Sequence, residues 1–166
     1  MANETETRVL GLLSAIEPPL EAPQLIEAMG PEAVNVACEA ALGTYVGLRP
    51  KVRTNAAAIV GQMESQQARE ALALLVTDPD EDVAIRALRA VGRRDDAGLI
   101  ERAALVLRRP DASPLVAAEA VWALRESRDL PSAREALAEY RNGDLERAPA
   151  HRRSLVVERA LEGSDG

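Results

Sequence analysis

The feature that most constrains this 166-residue chain is a short pattern that occurs four times. Each copy has a valine, a small residue four positions later, and an aliphatic residue four positions after that. The copies are Val34, Cys38 and Leu42; Val52, Ala56 and Val60; Val83, Ala87 and Val91; and Val116, Ala120 and Leu124. The last three copies begin 31 and 33 residues apart, which is typical of stacked helical repeats.

Residues spaced four apart lie on one face of an α-helix, so each copy predicts a helix with one buried apolar face. The small central residue allows a neighbouring helix to approach closely. Glycine follows three of the copies, as Gly43, Gly61 and Gly92. We expect these glycines to end their helices in the left-handed conformation. A second apolar segment follows each of the last three copies, so the predicted repeat is a helical hairpin.

Ten helices are predicted in all, and no segment shows the alternation of a half-buried strand. Proline marks several helix starts, with Asp78 and Ser113 as expected N-caps. The predicted helices span residues 5–16, 23–29, 31–45, 50–63, 66–77, 79–93, 97–109, 113–127, 131–141 and 148–162. The predicted fold class is therefore all-α.

Two segments resemble HEAT-like repeats of the phycobilin-lyase type. One runs from Val52-Arg53 to Gly61, and the other from Asp78-Pro79-Asp80-Glu81-Asp82-Val83 to Gly92. The resemblance covers about residues 50–129. It implies a short right-handed α-solenoid of about five helical hairpins that binds protein, and it does not imply lyase activity.

The chain departs from the family motif at three positions. Ala84 and Ala117 stand where the family usually has arginine, and Arg125 stands where it has glycine. The first two copies begin only 18 residues apart, so the N-terminal third is not a regular repeat. We expect one domain over residues 1–166, with a divergent N-terminal cap at 1–47, regular repeats at 48–143 and a C-terminal capping helix at 144–166.

Composition narrows the possible functions. The chain has no phenylalanine, so its core must consist of alanine, valine and leucine, which leaves few large side chains for a deep ligand pocket. Nineteen of the twenty basic residues are arginine, which together with abundant alanine suggests a GC-rich bacterial gene. Residues 1–47 carry seven glutamates and one arginine, so most of the net charge of −7 of the whole chain lies in this segment. Such an acidic end repels phosphates and can attract basic partners, and the alternative is that it serves solubility and caps the stack against further association.

Motifs for catalysis, metal binding and membrane insertion are not found in the sequence. There is no glycine-rich phosphate loop, no CxxC and no local Ser-His-Asp set. Cys38 is expected to pack in the core, and His151, the only histidine, to be solvated rather than to bind metal. We expect no enzyme activity, no cofactor, no signal peptide and no membrane span, and a cytoplasmic location.

One candidate protein-binding site lies on the eighth predicted helix. Trp122 occupies the repeat position that Arg89 holds in the sixth helix, and Leu115 lies one heptad earlier on the same side. Glu119 and Glu126 flank them. An exposed tryptophan surrounded by charge is typical of a protein-binding anchor. The alternative is that the C-terminal helix or the 110–114 loop covers it.

A second candidate site is basic. Arg86, Arg89 and Arg93 share one face of the sixth helix, and Arg102 follows in the seventh. Residues 86–109 hold seven arginines against three acidic residues, so an acidic peptide, a phosphate or nucleic acid could bind there. The alternative is a solvated helix face with some arginines paired to Asp80, Glu81 or Asp82.

The resemblance also implies that the second helix of each hairpin lines a concave surface. The exposed polar residues there would be Gln66, Gln67, Arg69, Glu70, Glu101, Arg102, Arg108, Arg134, Glu135 and Glu139. Charges of both signs suit a protein partner better than a polyanion.

Two functional hypotheses follow from the sequence. The first is a non-catalytic adaptor or scaffold, a monomer or weak homo-oligomer, that binds a partner protein on the concave surface or the Leu115/Trp122 face. The second is nucleic-acid binding or DNA repair through the Arg86–Arg109 segment, by similarity in architecture to the alkylpurine DNA glycosylases. The net negative charge argues against nucleic acid as the partner.

Overall fold

The computed structural model describes residues 3–163, and every regular element in this range is helical. Residues 1–2 and 164–166, the outer ends of the two predicted caps, lie outside the described residues. The α-helices are α1 (Glu4–Leu13), α2 (Ala22–Ala28), α3 (Pro31–Leu42), α4 (Pro50–Val60), α5 (Gln66–Leu75), α6 (Glu81–Val91), α7 (Ala97–Val106), α8 (Pro114–Glu126), α9 (Pro131–Asn142) and α10 (Leu155–Glu162). A 3₁₀ helix, Ala150–Arg153, precedes α10.

The all-α prediction is confirmed, and each of the ten predicted helices corresponds to one observed helix. The largest error is at the last one. It was predicted to start at residue 148, but α10 starts at Leu155, because the 3₁₀ helix occupies the chain before it. Ser154 then caps α10 by accepting a hydrogen bond from the Val157 amide.

The chain forms two compact units, and the boundary between them falls after Ala87, inside α6. In the first unit α3 is central and packs against α1, α2, α4 and α5. In the second unit α8 is central and packs against α7, α9, α10 and the 3₁₀ helix. The right-handed solenoid and its caps stay predictions from the resemblance.

The repeated apolar pattern forms the core. Eleven of its twelve residues are buried, and the exception is Leu42, the last residue of α3, which is 36% exposed. The small central residues Cys38, Ala56, Ala87 and Ala120 are at most 5% exposed. A core of such small side chains brings neighbouring helices close together.

The predicted N-cap of α6 is wrong by two residues. Asp80 accepts the hydrogen bonds from the backbone amides of Asp82 and Val83, so the helix begins at Glu81. Asp78 instead forms an ion pair with Arg53. At α8 the prediction is confirmed, because Ser113 accepts from the amide of Val116.

Only one of the three glycines after the pattern is left-handed. Gly43 ends α3 with φ of +78°, as predicted. Gly61 has φ of −60°, and Gly92 also lacks a positive φ, so the prediction is wrong for both. Gly92 serves packing instead, because a Cβ atom there would lie 2.8 Å from Cζ3 of Trp122.

Candidate protein-binding surfaces

Trp122 lies on α8 with one edge of its ring against the backbone of Gly92, and it is half-buried. The backbone of Gly92 covers part of the ring. Leu115, at the start of α8, is 50% exposed. Trp122 therefore contributes to the packing of the second unit as well as to its surface.

One residue of the basic site, Arg89, forms an ion pair with one residue of the Leu115/Trp122 face, Glu119. Arg89 donates from Nε and Nη2 to the same carboxylate oxygen of Glu119, over 3.1 and 2.7 Å. This hydrogen bonding raises the pKa of Arg89, with the opposite charge of Glu119 adding to the effect. Glu119 and Arg89 therefore satisfy each other, whereas Glu126 is exposed near the end of α8.

The other arginines of the basic segment differ in their surroundings. Arg86, Arg93 and Arg102 are exposed. Two more form ion pairs: Arg108 with Glu139 and Arg109 with Asp111, over 2.7 and 2.6 Å. Together with the Arg89 pair, these contacts offset much of the positive charge of the segment.

Two adjoining cavities lie between α7 and α9, and we refer to them together as the α7–α9 groove. It consists of two cavities of about 410 and 270 Å³. Four residues line both cavities, namely Ala104, Arg108, Ala136 and Glu139. Apolar groups form much of its surface, namely Ala104, Leu105, Leu107, Ala136, Tyr140, Ala148 and Pro149.

The groove is surrounded by charges of both signs. Its charged lining residues are Glu101, Arg102, Arg108, Glu135, Glu139, Asp144 and Arg147. The Arg108–Glu139 ion pair stands where the two cavities meet, and each side chain is about two thirds exposed. An exposed pair of this kind contributes about 0–1 kcal/mol, so a ligand can displace it at little cost.

The groove collects five of the polar residues that the sequence analysis assigned to a concave surface, namely Glu101, Arg102, Arg108, Glu135 and Glu139. Arg134 is not among them, because its guanidinium donates to the carbonyls of Arg128 and Asp129. The apolar groups between the charged residues were missed. Leu105, which is 43% exposed, could have been noticed in the sequence because it lies two residues before Leu107, the buried C-cap residue of α7.

One end of the groove is fixed by a buried histidine. His151 is only 3% exposed, so the expectation of a solvated side chain was wrong. Its Nε2 lies 2.9 Å from the carbonyl oxygen of Arg109, and its Nδ1 lies 2.8 Å from the hydroxyl of Tyr140. Because a carbonyl only accepts, Nε2 carries a proton, and in the neutral imidazole Nδ1 accepts from the Tyr140 hydroxyl. Burial raises the pKa of Tyr140 to about 12.

A further cavity, of about 580 Å³, lies beside the ends of α8 and α9 and contains several arginines. Arg125 donates to the carbonyls of Ala160 and Gly163, and Arg141 donates to the carbonyl of Leu161. These carbonyls belong to the last turn of α10, where the helix dipole favours positive charge. The two arginines thus hold the end of α10 in place.

The residues considered for chemistry are committed to packing. Cys38 is buried in α3, and burial, with a contribution from Glu39, raises its pKa to about 11. Both ring nitrogens of His151 are hydrogen-bonded. Within residues 3–163 no group of three His, Cys, Asp or Glu side chains is placed to hold a metal ion. In the same range, no helix has both the length and the apolar composition needed to cross a membrane.

No protein-family model matches the chain, and no curated protein sequence is significantly similar to it.

Proposed function

We propose that this chain is a non-catalytic protein-binding module, an adaptor or scaffold that holds a segment of a partner protein in the α7–α9 groove. The observation that carries the proposal is that two cavities between α7 and α9 share four lining residues, with apolar groups inside and charges of both signs around them. A few apolar anchors in such a groove supply most of the affinity, and the surrounding charges set specificity and association rate.

The groove is favoured over the Leu115/Trp122 face. Trp122 already contacts Gly92, and Glu119 already pairs with Arg89, so both would have to give up contacts to serve a partner. Binding in the groove breaks fewer existing contacts, because only the exposed Arg108–Glu139 ion pair has to separate.

Two further observations support a binding role. The one thiol and the one imidazole are occupied by packing and hydrogen bonds, which supports a role without catalysis. The ion pairs of Arg89, Arg108 and Arg109 reduce the charge that a phosphate backbone would meet, so we do not propose nucleic-acid binding. The proposal includes a cytoplasmic, monomeric or weakly self-associating protein.

The test is an affinity capture from the native lysate with matched variants. Leu105→Arg places a charge inside the groove, and Leu74→Arg places the same charge on a somewhat more exposed leucine of α5 that lines none of these cavities. We expect one partner protein to be retained by the wild type and by Leu74→Arg and to be lost by Leu105→Arg.

The same experiment can contradict the proposal. Retention of the partner by Leu105→Arg would remove the groove as the site, and a Leu115→Ser variant would then test the α8 face. Recovery of nucleic acid instead of protein, at levels lowered by Arg93→Glu, would favour the second hypothesis of the sequence analysis.

A further inference from the structure

The first unit exposes large apolar side chains on a short loop. Residues 14–21 connect α1 to α2, and within them Ile16 is 88% exposed and Leu20 is 89% exposed. Pro18 and Pro19 lie between these two residues. Single exposed leucines are common, but two almost fully exposed side chains on one proline-containing loop call for an explanation.

Two cavities adjoin this loop and share Pro19. One, of about 420 Å³, is lined almost entirely by apolar groups, namely Gly11, Leu12, Ala15, Pro19, Leu25 and Met29, with Arg8 beside them. The other, of about 250 Å³, includes Ile16 and Leu20 themselves. We refer to the loop and its two cavities as the α1–α2 surface. Its cavities could accept apolar side chains of a partner, and they lie beside the outward-projecting side chains of Ile16 and Leu20.

The end of α1 and the first two residues of the loop are held by side chains from α4 and from the residue before it. The buried amide of Asn55 donates to the carbonyls of Leu13 and Ala15, over 2.9 and 3.0 Å. The guanidinium of Arg49 donates to the carbonyl of Ser14 over 3.5 Å. These contacts position the chain just before Ile16, which reduces the conformational entropy that binding at the loop costs.

The charges around this surface differ from those of the surrounding chain. Residues 1–47 have seven glutamates and a single basic residue, Arg8, yet Arg8 lines one of the cavities. Lys51 and Arg86 line the other, with Glu17 as its one acidic residue. Arg8, Lys51 and Arg86 are exposed, and none of them forms an ion pair with another described residue.

We infer that the α1–α2 surface is a second docking site, and that its occupant is an acidic amphipathic segment of a partner protein. Apolar side chains of this segment fill the recesses beside Ile16 and Leu20, and its carboxylates meet Arg8, Lys51 and Arg86. This is the helix-in-groove mode of recognition, in which apolar anchors provide affinity and flanking charges provide selectivity. The site is independent of the α7–α9 groove.

The experiment is a selection from displayed peptides of about 15 residues, four helical turns, with leucines fixed on one face and the other positions randomised. The full-length chain is the bait, and the Ile16→Ser/Leu20→Ser variant is the counter-selection. We expect peptides specific for the wild type to be enriched in Asp and Glu. Their Kd should rise about tenfold or more in the Ile16→Ser/Leu20→Ser variant and in Lys51→Glu/Arg86→Glu.

Matched control variants distinguish binding at this site from non-specific hydrophobic binding and from non-specific electrostatic attraction. Val46→Ser removes another fully exposed apolar loop residue of the same unit, and Arg93→Glu reverses another exposed arginine. Both should leave the Kd unchanged. Leu105→Arg should also leave it unchanged, so failure of this inference and failure of the α7–α9 groove are distinguishable.

Several outcomes overturn the inference. These are enrichment of Lys and Arg, absence of any peptide specific for the wild type, and equal weakening by Val46→Ser or Arg93→Glu. A concentration-dependent dimer in sedimentation that the Ile16→Ser/Leu20→Ser variant abolishes would also overturn it, because the occupant would then be a second copy of the chain.

Discussion

Replacing Gly92 with alanine places a methyl group where α8 already stands. The added Cβ would lie 2.8 Å from Cζ3 of Trp122 and 3.0 Å from Cα of Ala123. The indole ring can rotate away from the first contact, but the second contact is with backbone. Helix α8 therefore has to move, and it is the central helix of its unit.

The cost of this change can be estimated. Adding a methyl group to a well-packed core destabilises by about 1–3 kcal/mol. Because Gly92 does not need a positive φ, alanine also gains about 0.4–1 kcal/mol through the lower entropy of the unfolded chain. The expected net loss in the free energy of unfolding is about 1–2 kcal/mol, and for a chain of this size each kcal/mol lowers Tm by about 2–4 °C.

A matched control comes from Gly11, which lies inside α1 with no heavy atom within 4 Å of the Cβ position. Gly11→Ala should therefore stabilise by about 0.5–1 kcal/mol. The assay is urea unfolding of both variants, followed by circular dichroism. The same sign for both variants would refute the packing argument. Trp122→Leu should reduce the cost of Gly92→Ala but not remove it, because the contact with Ala123 remains.

Three further predictions concern buried polar groups. Asn55→Leu leaves the carbonyls of the loop after α1 without their donor, so urea unfolding should show a loss of about 1–3 kcal/mol. Tyr140→Phe removes the donor to His151 and should cost about 1 kcal/mol in the same assay, with the far-ultraviolet spectrum unchanged. The Cys38 thiol, whose pKa is raised from 9.0 to about 11, ionises more readily in the unfolded chain, so its contribution to stability is present below pH 9 and is lost as the pH rises towards 11. A Cys38→Ala variant should lose less stability than the wild type over that pH interval, and equal losses would contradict this reasoning.

The sequence was sufficient for the helices because their apolar periodicity and proline starts act within a few residues. The pattern at Val116, Ala120 and Leu124 predicted a buried face, and all three residues are at most 9% exposed. Ser113 caps the same helix as predicted. Local rules of this kind need no knowledge of the neighbouring helices.

Errors arose where a distant residue decides the local structure. Asp78 was expected to cap α6, but Arg53 of an earlier helix pairs with it, and Asp80 takes the cap. His151 was expected to be solvated, but Tyr140 and the carbonyl of Arg109 enclose it. Periodicity within one helix carries no information about such partners.

The candidate sites were the least predictable part for the same reason. Trp122 was assigned to an exposed face because its repeat position is polar in the neighbouring helix. The sequence could not reveal that the glycine at position 92 gives the ring a place to pack. The groove between α7 and α9 requires two helices to lie side by side. The apolar pattern of one helix indicates which of its own residues are exposed, but not which helix lies next to it.

The arginine contacts at the ends of the helices have a consequence for the behaviour of the second unit as ionic strength changes. Arg125 and Arg134 donate hydrogen bonds to neutral backbone carbonyls. Dissolved salt screens the attraction between opposite charges over about 8–10 Å, but it weakens a direct hydrogen bond to a carbonyl much less. The contact of Arg125 with the end of α10 should therefore persist at salt concentrations that weaken surface ion pairs.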